Sequence, residues 1–330
     1  MLLTHTLRGT ISILFVFFQV ELLPLATAED TVTARIGEVW SESEAAAAPY
    51  HQAFLEGLRD RGYIEGKNLQ LFTRYANGDE SRLPSLINEL LGLHVDVLFV
   101  SQASVGPAKD ATTTVPIVCA TMNDPVGAGQ VASLSRPGGN LTGLSWQSVD
   151  TATKRFELAR ELRPKLSSLA VLFDSSDRAA RQEAQVVIIA AKKARIAVAS
   201  YEVRTPTDIQ AAFAAMTSKR PQLLYVVDNA TTTGLDIQIA TLALAIRLPL
   251  VSESRVWAEA GGVLSYGAKL TPALKRGAAY VDKILKGAKP QDLPIEQPTE
   301  FELVVNLKSA KTTGVLIPES VSARADRVIR

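Results

Sequence analysis

The chain has 330 residues, with 35 basic against 34 acidic side chains, a net charge of +1 and 47% hydrophobic residues. That balance gives no reason to expect a polyanion or a membrane surface as partner, and the length suffices for two domains with well-buried cores. The single cysteine, Cys119, excludes an internal disulfide and, inside the apolar run "VPIVCA", reads as a small buried strand residue.

The first 28 residues have the layout of a secretory signal peptide. Arg8 supplies a positive start, "ISILFVFF" (11–18) a short apolar core, and "ATA" (26–28) the small residues of a cleavage site. Gln19 and Glu21 interrupt the apolar run, which is too short for a membrane span. Cleavage is expected before Glu29, with no cysteine there to carry a lipid, so the expected product is soluble and periplasmic.

From residue 34 the chain alternates between two periodicities. "ARIGEVW" (34–40), "NLQLFTRYA" (68–76), "VDVLFV" (95–100) and "VPIVCAT" (115–121) read as strands. Helical spacing is expected between them over 49–61, across Leu83–Leu91, and around 106–111. The rhythm restarts with helices at 151–162, 178–193, 207–217 and 235–246 and strands at 168–174, 196–203, 222–228 and 248–253. Two successive modules of parallel, doubly wound sheet follow, with a boundary near Leu144–Asp150. An amphipathic helix over 272–290 and a strand over 298–306 close the chain.

The segment "MNDPVGAGQVASLSRPGGNLTG" (122–143) contains Gly127, Gly129 and Ala132 at the spacing of a dinucleotide-binding loop. Such a loop must follow the first strand and open a full-length helix. Here the glycines follow the fourth strand, and Arg136-Pro137-Gly138-Gly139 leaves room only for a short helix at 126–134. No nucleotide cofactor is expected. Beyond the signal only His51 and His94 remain, neither beside a nucleophile nor paired as metal ligands, and there is no H-E-x-x-H, G-x-S-x-G or G-K-[ST] motif. A hydrolase therefore has no support.

In open parallel sheets, ligands bind beyond the carboxyl ends of the strands. Those ends are polar in both modules: Trp40-Ser41-Glu42-Ser43, Ser101-Gln102-Ala103-Ser104 and Thr121-Met122-Asn123-Asp124 in the first, Asp174-Ser175-Ser176-Asp177, Asp228-Asn229-Ala230-Thr231 and Glu253-Ser254 in the second. Each taken singly reads as a helix cap. Together they form two rims able to face each other across a cleft.

Several stretches resemble one bacterial family of ABC-transporter solute-binding proteins, which includes tryptophan- and tyrosine-binding members. They are "RIGEVWSESEAAAAPYHQAFLEGLRDRGYIEGKNLQLFTRYANGDESRLPSL", "VDVLFV", "VPIVCATMNDPVGAGQVASLSRPGGNLTGLS", "EAGGVLSYG", "YVDKILKGAKPQDLPIEQPTEFELVVNLKSAK" and "GVLIP". The resemblance spans roughly 34–329 and implies a type I periplasmic-binding-protein fold: two α/β lobes with the solute between them. It further implies that residues 29–145 and 265–292 form the N-terminal lobe, and 146–264 and 293–330 the C-terminal lobe. Two motifs depart from the family pattern. Asp174-Ser175-Ser176-Asp177 stands where many relatives carry N-P-x-N-P, and Asp228-Asn229-Ala230 replaces a common P-D-P.

The resemblance implies a monomeric receptor that hands a small solute, an amino acid or related organic acid, to an ABC permease and its ATPase, without nucleic acid; a sensing receptor is the alternative. Asp124, biased towards an extended backbone by the following proline, is expected to pair a ligand ammonium or else to cap the helix at 126–134. Ser41, Ser43, Ser101, Ser104 and Thr121 are expected to hold a carboxylate, while Trp40 either stacks on a flat ligand or packs at the strand end, and Tyr266 either stacks there or packs at the hinge. Gln102, Asn123, Asp174 and Asp228 complete the expected site, while Trp146 and Trp257 read as structural.

Overall fold

The computed structural model describes residues 33–330 apart from Gln147. The export signal expected over 1–28 lies outside the described residues. No helix among those described is long and apolar enough to cross a membrane.

The strand–helix alternation produces two sheets. The first contains β1 (Ala34–Trp40), β2 (Leu69–Tyr75), β3 (Val97–Val100), β4 (Ile117–Met122) and β5 (Leu141–Ser145), all parallel, in the order β2-β1-β3-β4-β5. The second contains β6 (Ser168–Asp174), β7 (Ala197–Val203), β8 (Leu223–Val226), β9 (Leu250–Ser252), β10 (Leu264–Ala268), β11 (Phe301–Asn306) and β12 (Arg327–Ile329). Their order is β12-β11-β10-β9-β8-β6-β7, parallel except for the antiparallel pair of β10 and β11. The central strands β3 (VLFV) and β8 (LLYV) are buried throughout, because helices cover both faces of each sheet.

In the first half, α1 (Glu44–Arg59) lies on one face of the sheet, and α2 (Leu83–Gly92) and α3 (Val105–Ala111) lie on the other. In the second, α4 (Ser148–Leu162) and α5 (Arg178–Lys193) oppose α6 (Pro206–Lys219), α8 (Asp236–Ala245) and α9 (Arg255–Ala260), with the short α7 (Ala230–Thr233) after β8. The helix α10 (Leu270–Leu285) returns to the first sheet. It packs along α1 so closely that a Cβ on Gly57 would meet Ala278 Cβ at 2.8 Å. The chain then runs beside β5, where Ser145 N donates to Glu296 O at 2.8 Å, before β11 re-enters the second sheet. The helices α11 (Leu307–Thr313) and α12 (Glu319–Ser322) complete the chain.

Several details differ from the sequence reading, among them the end of α10 at Leu285, five residues short of the expected 290. The first helix begins at Glu44, five residues before the expected Pro49; Ser43 caps it, and the Ala45–Ala48 run has high helix propensity but no periodicity to reveal it. No helix forms over 126–134: this segment is a series of turns. Leu141–Ser145, which overlaps the expected boundary near Leu144–Asp150 and for which no element is expected, is a buried fifth strand. Cys119 lies buried in β4 as expected, and burial pushes its thiol up to about 11.

Candidate ligand cavity

The carboxyl ends of both sheets open onto one cavity of about 700 Å³, its open mouth included. Its first wall follows β1, β3 and β4. Ser41 N donates to Ser101 Oγ at 3.2 Å, Ser101 Oγ lies 2.9 Å from Ser104 Oγ, and Ser101 N donates to Val39 O at 3.0 Å. Asn123 N donates to Gln102 Oε1 at 3.1 Å, tying the next loop to this one. These bonds fix the loops before any ligand arrives. Trp40, with 4% of its surface exposed, packs against Tyr50 and Phe99, with ring centroids 6.0 and 6.1 Å away. Thr121, Trp146 and Leu270 continue this wall.

The second wall follows β8 and β9. Asp228 accepts from Thr233 Oγ1 through one carboxylate oxygen and from Ser254 Oγ at 2.6 Å through the other. Asn229 accepts from Thr232 N at 3.0 Å, which shapes the turn into α7. Glu253 is buried and forms an ion pair with Arg155 Nη1 at 3.2 Å. Arg155, on α4, has no exposed surface. It donates to Glu183 Oε1 at 2.6 Å, Tyr225 Oη at 2.8 Å, Thr151 Oγ1 at 2.7 Å and the Tyr266 carbonyl at 3.1 Å. Burial alone would disfavour the guanidinium, but Glu183 and Glu253 keep it charged, while burial raises the Glu183 carboxyl. A Cβ on Gly267 would lie 2.6 Å from Glu253 Cγ, so β10 can pass this carboxylate only with a glycine there.

Among the described residues, the charged side chains lining the cavity are Glu42, Asp228 and Glu253, and no lysine or arginine joins them. Burial raises the Glu42 carboxyl; bonds from its own backbone and Ser41 partly offset this, and the Asp228 carboxylate raises it further. The Tyr50 phenol is pushed up by burial and then by Glu42 and Asp228. An acidic, aromatic-walled cavity of this kind suits a solute with a cationic group and a flat apolar part. Among the described residues there is no group of three or more His, Cys, Asp or Glu placed to hold a metal.

Of the residues expected from the sequence, Trp40, Ser41, Ser101, Gln102, Thr121, Asn123 and Asp228 line the cavity. Ser104 stands behind Ser101, and Ser43 accepts from Ala46 N at 3.4 Å as the cap of α1. Asp174 is buried elsewhere, accepting from Ser176 N at 2.7 Å and Thr231 Oγ1 at 2.6 Å. The Tyr266 ring packs against Phe301 at 6.1 Å. Asp124 does not have the extended backbone expected of it. Its φ is +37°, a conformation aspartate tolerates, and its carboxylate accepts from Gly127 N at 3.0 Å in a separate depression. Glu42, Tyr50, Trp146, Asn229, Thr233, Glu253 and Ser254 also line the cavity, beyond the expected set. Glu42, Asn229, Glu253 and Ser254 follow strands, a signal already present in the sequence, whereas Tyr50 lies within α1 and has no strand-end signal.

Two α/β halves opening onto one polar-rimmed cavity define a solute-binding architecture. The model of the ABC transporter substrate binding protein family matches residues 42–329, and the chain belongs to that family. Its members are binding proteins rather than enzymes. A tyrosine-binding protein of Clostridioides difficile (strain R20291) is 25% identical over 262 residues, 79% of this chain and 75% of that one. The fold matches a conserved domain protein from Vibrio cholerae with a TM-score of 0.84 at 28% identity, covering 90% of this chain and 99% of that one. It also matches an ABC domain from Streptococcus pneumonia in complex with L-Trp, with a TM-score of 0.83 at 26% identity over 90% and 100% of the two chains. The fold is the type I fold of periplasmic solute-binding proteins.

Proposed function

We propose that this chain is the periplasmic component of an ABC importer, exported by its first 28 residues, and that it binds an amino acid, aromatic by preference, between two lobes. The lobes would be 29–145 with 265–292, and 146–264 with 293–330. The observation that carries this reading is the cavity wall: Trp40, Tyr50 and Trp146 beside the Asp228 carboxylate, with no cationic side chain among the described residues that line it. An ammonium pairs with Asp228, the ligand carboxylate takes hydroxyl and backbone donors around Ser41, Ser101 and Thr121, and the side chain lies against the aromatic rings. The names of the tyrosine-binding and L-Trp-complexed relatives point the same way. A solute touching both walls favours the closed arrangement, which is what a permease would recognise.

Mass spectrometry of ligand released from the purified protein, followed by calorimetry with tryptophan, tyrosine, leucine and their amine-free acids, tests this. Aromatic amino acids should bind best, and Asp228→Asn should weaken them by 2–5 kcal/mol, roughly 30-fold or more. Tightest binding of an amine-free acid would overturn the reading.

A further inference from the structure

Glu42 is the group in the cavity that the packing leaves unexplained. It sits between β1 and α1, and its Oε2 is buried without a hydrogen-bond partner among the described residues. Both Asp228 oxygens, by contrast, have hydroxyl donors. Two residues away, the Trp40 indole Nε1 is also buried without an acceptor, in a side chain that lines the same cavity. A carboxylate oxygen out of reach of water and donors is costly unless a partner arrives from outside the chain. The neighbouring charges do not supply one. Asp228 lies across the cavity, Asp236 and Glu80 add negative charge around it, and Arg255 lines an adjoining depression, where it pairs with Glu259 at 3.5 Å.

We propose that Glu42 is a specificity-determining residue: with Asp228 it forms a pair of facing carboxylates, one from each wall, that take the ammonium group of the solute between them. This rests on the amine-bearing ligand of the preceding section and adds a second requirement. The facing carboxylates repel each other until a cation lies between them, so the empty cavity resists closure. A flat acid without an amine meets two negative groups and no cation. Glu42 thus selects by exclusion as well as by attraction.

The test is Glu42→Gln, which keeps shape and removes charge, measured on the mature protein beside Glu80→Gln, which removes a neighbouring charge outside the cavity. Calorimetry compares tryptophan with indolepropionate and tyrosine with hydroxyphenylpropionate. Glu42→Gln should lose about 30-fold in affinity for the amino acids and bind the amine-free acids more tightly, while Glu80→Gln keeps the wild-type ratio. Ligand-free Glu42→Gln should melt above ligand-free wild type and scatter as a more compact particle at low salt. If the wild type prefers the amine-free acids, this proposal falls together with the amino-acid reading. If the wild type prefers amino acids and Glu42→Gln leaves both the ratio and the ligand-free melting temperature unchanged, the proposal alone falls.

Discussion

Glu38, fully buried on β1, is bonded to His51 on α1 at 2.7 Å and to Thr73 on β2 at 2.9 Å, whereas Glu183 and Glu253 in the second half share the guanidinium of Arg155. Each half therefore holds acid groups inside its core, but with different cations. Histidine can release its proton near neutrality and arginine cannot. The first half ties part of its stability to pH. The second holds two carboxyls on one fixed charge that bonds five groups on four elements and the loop after β9. Its Glu253 also forms part of the cavity wall, so there stability and the shape of the cavity depend on the same guanidinium.

Removing the fixed charge should have the largest effect. Arg155→Met leaves Glu183 and Glu253 buried without their cation and should cost about 3–5 kcal/mol in urea unfolding. A loss no larger than that of an exposed ion pair would mean the two halves do not differ as described. The histidine comes next. The hydrogen bond that His51 donates to Glu38, then burial in opposition, then the Glu38 charge leave the His51 pKa above its usual value. A raised histidine pKa contributes stability that is complete below about 6.5, the unfolded value, and disappears as pH rises through the folded value. His51→Ala should therefore cost roughly 1–3 kcal/mol at pH 6 and much less at pH 9. An equal cost at both would show that the imidazole acts by packing alone. The smallest effect is expected for Tyr225→Phe. Its hydroxyl accepts from Arg155 and donates to Glu183 at 2.8 Å, and its loss should cost about 1 kcal/mol with no pH slope near neutrality.

The sequence made the first wall more legible than the second, for a physical reason. A residue directly after a buried parallel strand has little choice but to face the carboxyl edge, so Ser41, Ser101, Thr121 and Asp228 could be placed from strand boundaries alone. Asp124 is also near a strand end, but its backbone turns to φ +37° and directs the carboxylate to Gly127 instead. That rotation follows from the turn after it, which strand periodicity does not encode. Arg155 was not legible at all. In "TATKRFELAREL" it looks like any other charge on a helix, and its partners Glu183, Tyr225 and Tyr266 lie 28, 70 and 111 residues further along the chain. The fold followed from local alternation, while the crossing of α10 back to the first sheet came from the family resemblance rather than from periodicity.

The close packing of α10 on α1 also bears on how the molecule is made. Tyr63 donates to Asp282 at 3.0 Å across 219 residues, and the first sheet keeps one apolar face partly uncovered until that helix is available. The second sheet has β6 to β10 and their helices in one continuous stretch but takes β11 and β12 from the chain after α10, so it too is completed late. A chain synthesised from its amino end thus holds its earliest half incomplete until nearly the last. Such a delay would serve the export proposed for this chain, because an unfinished half stays threadable.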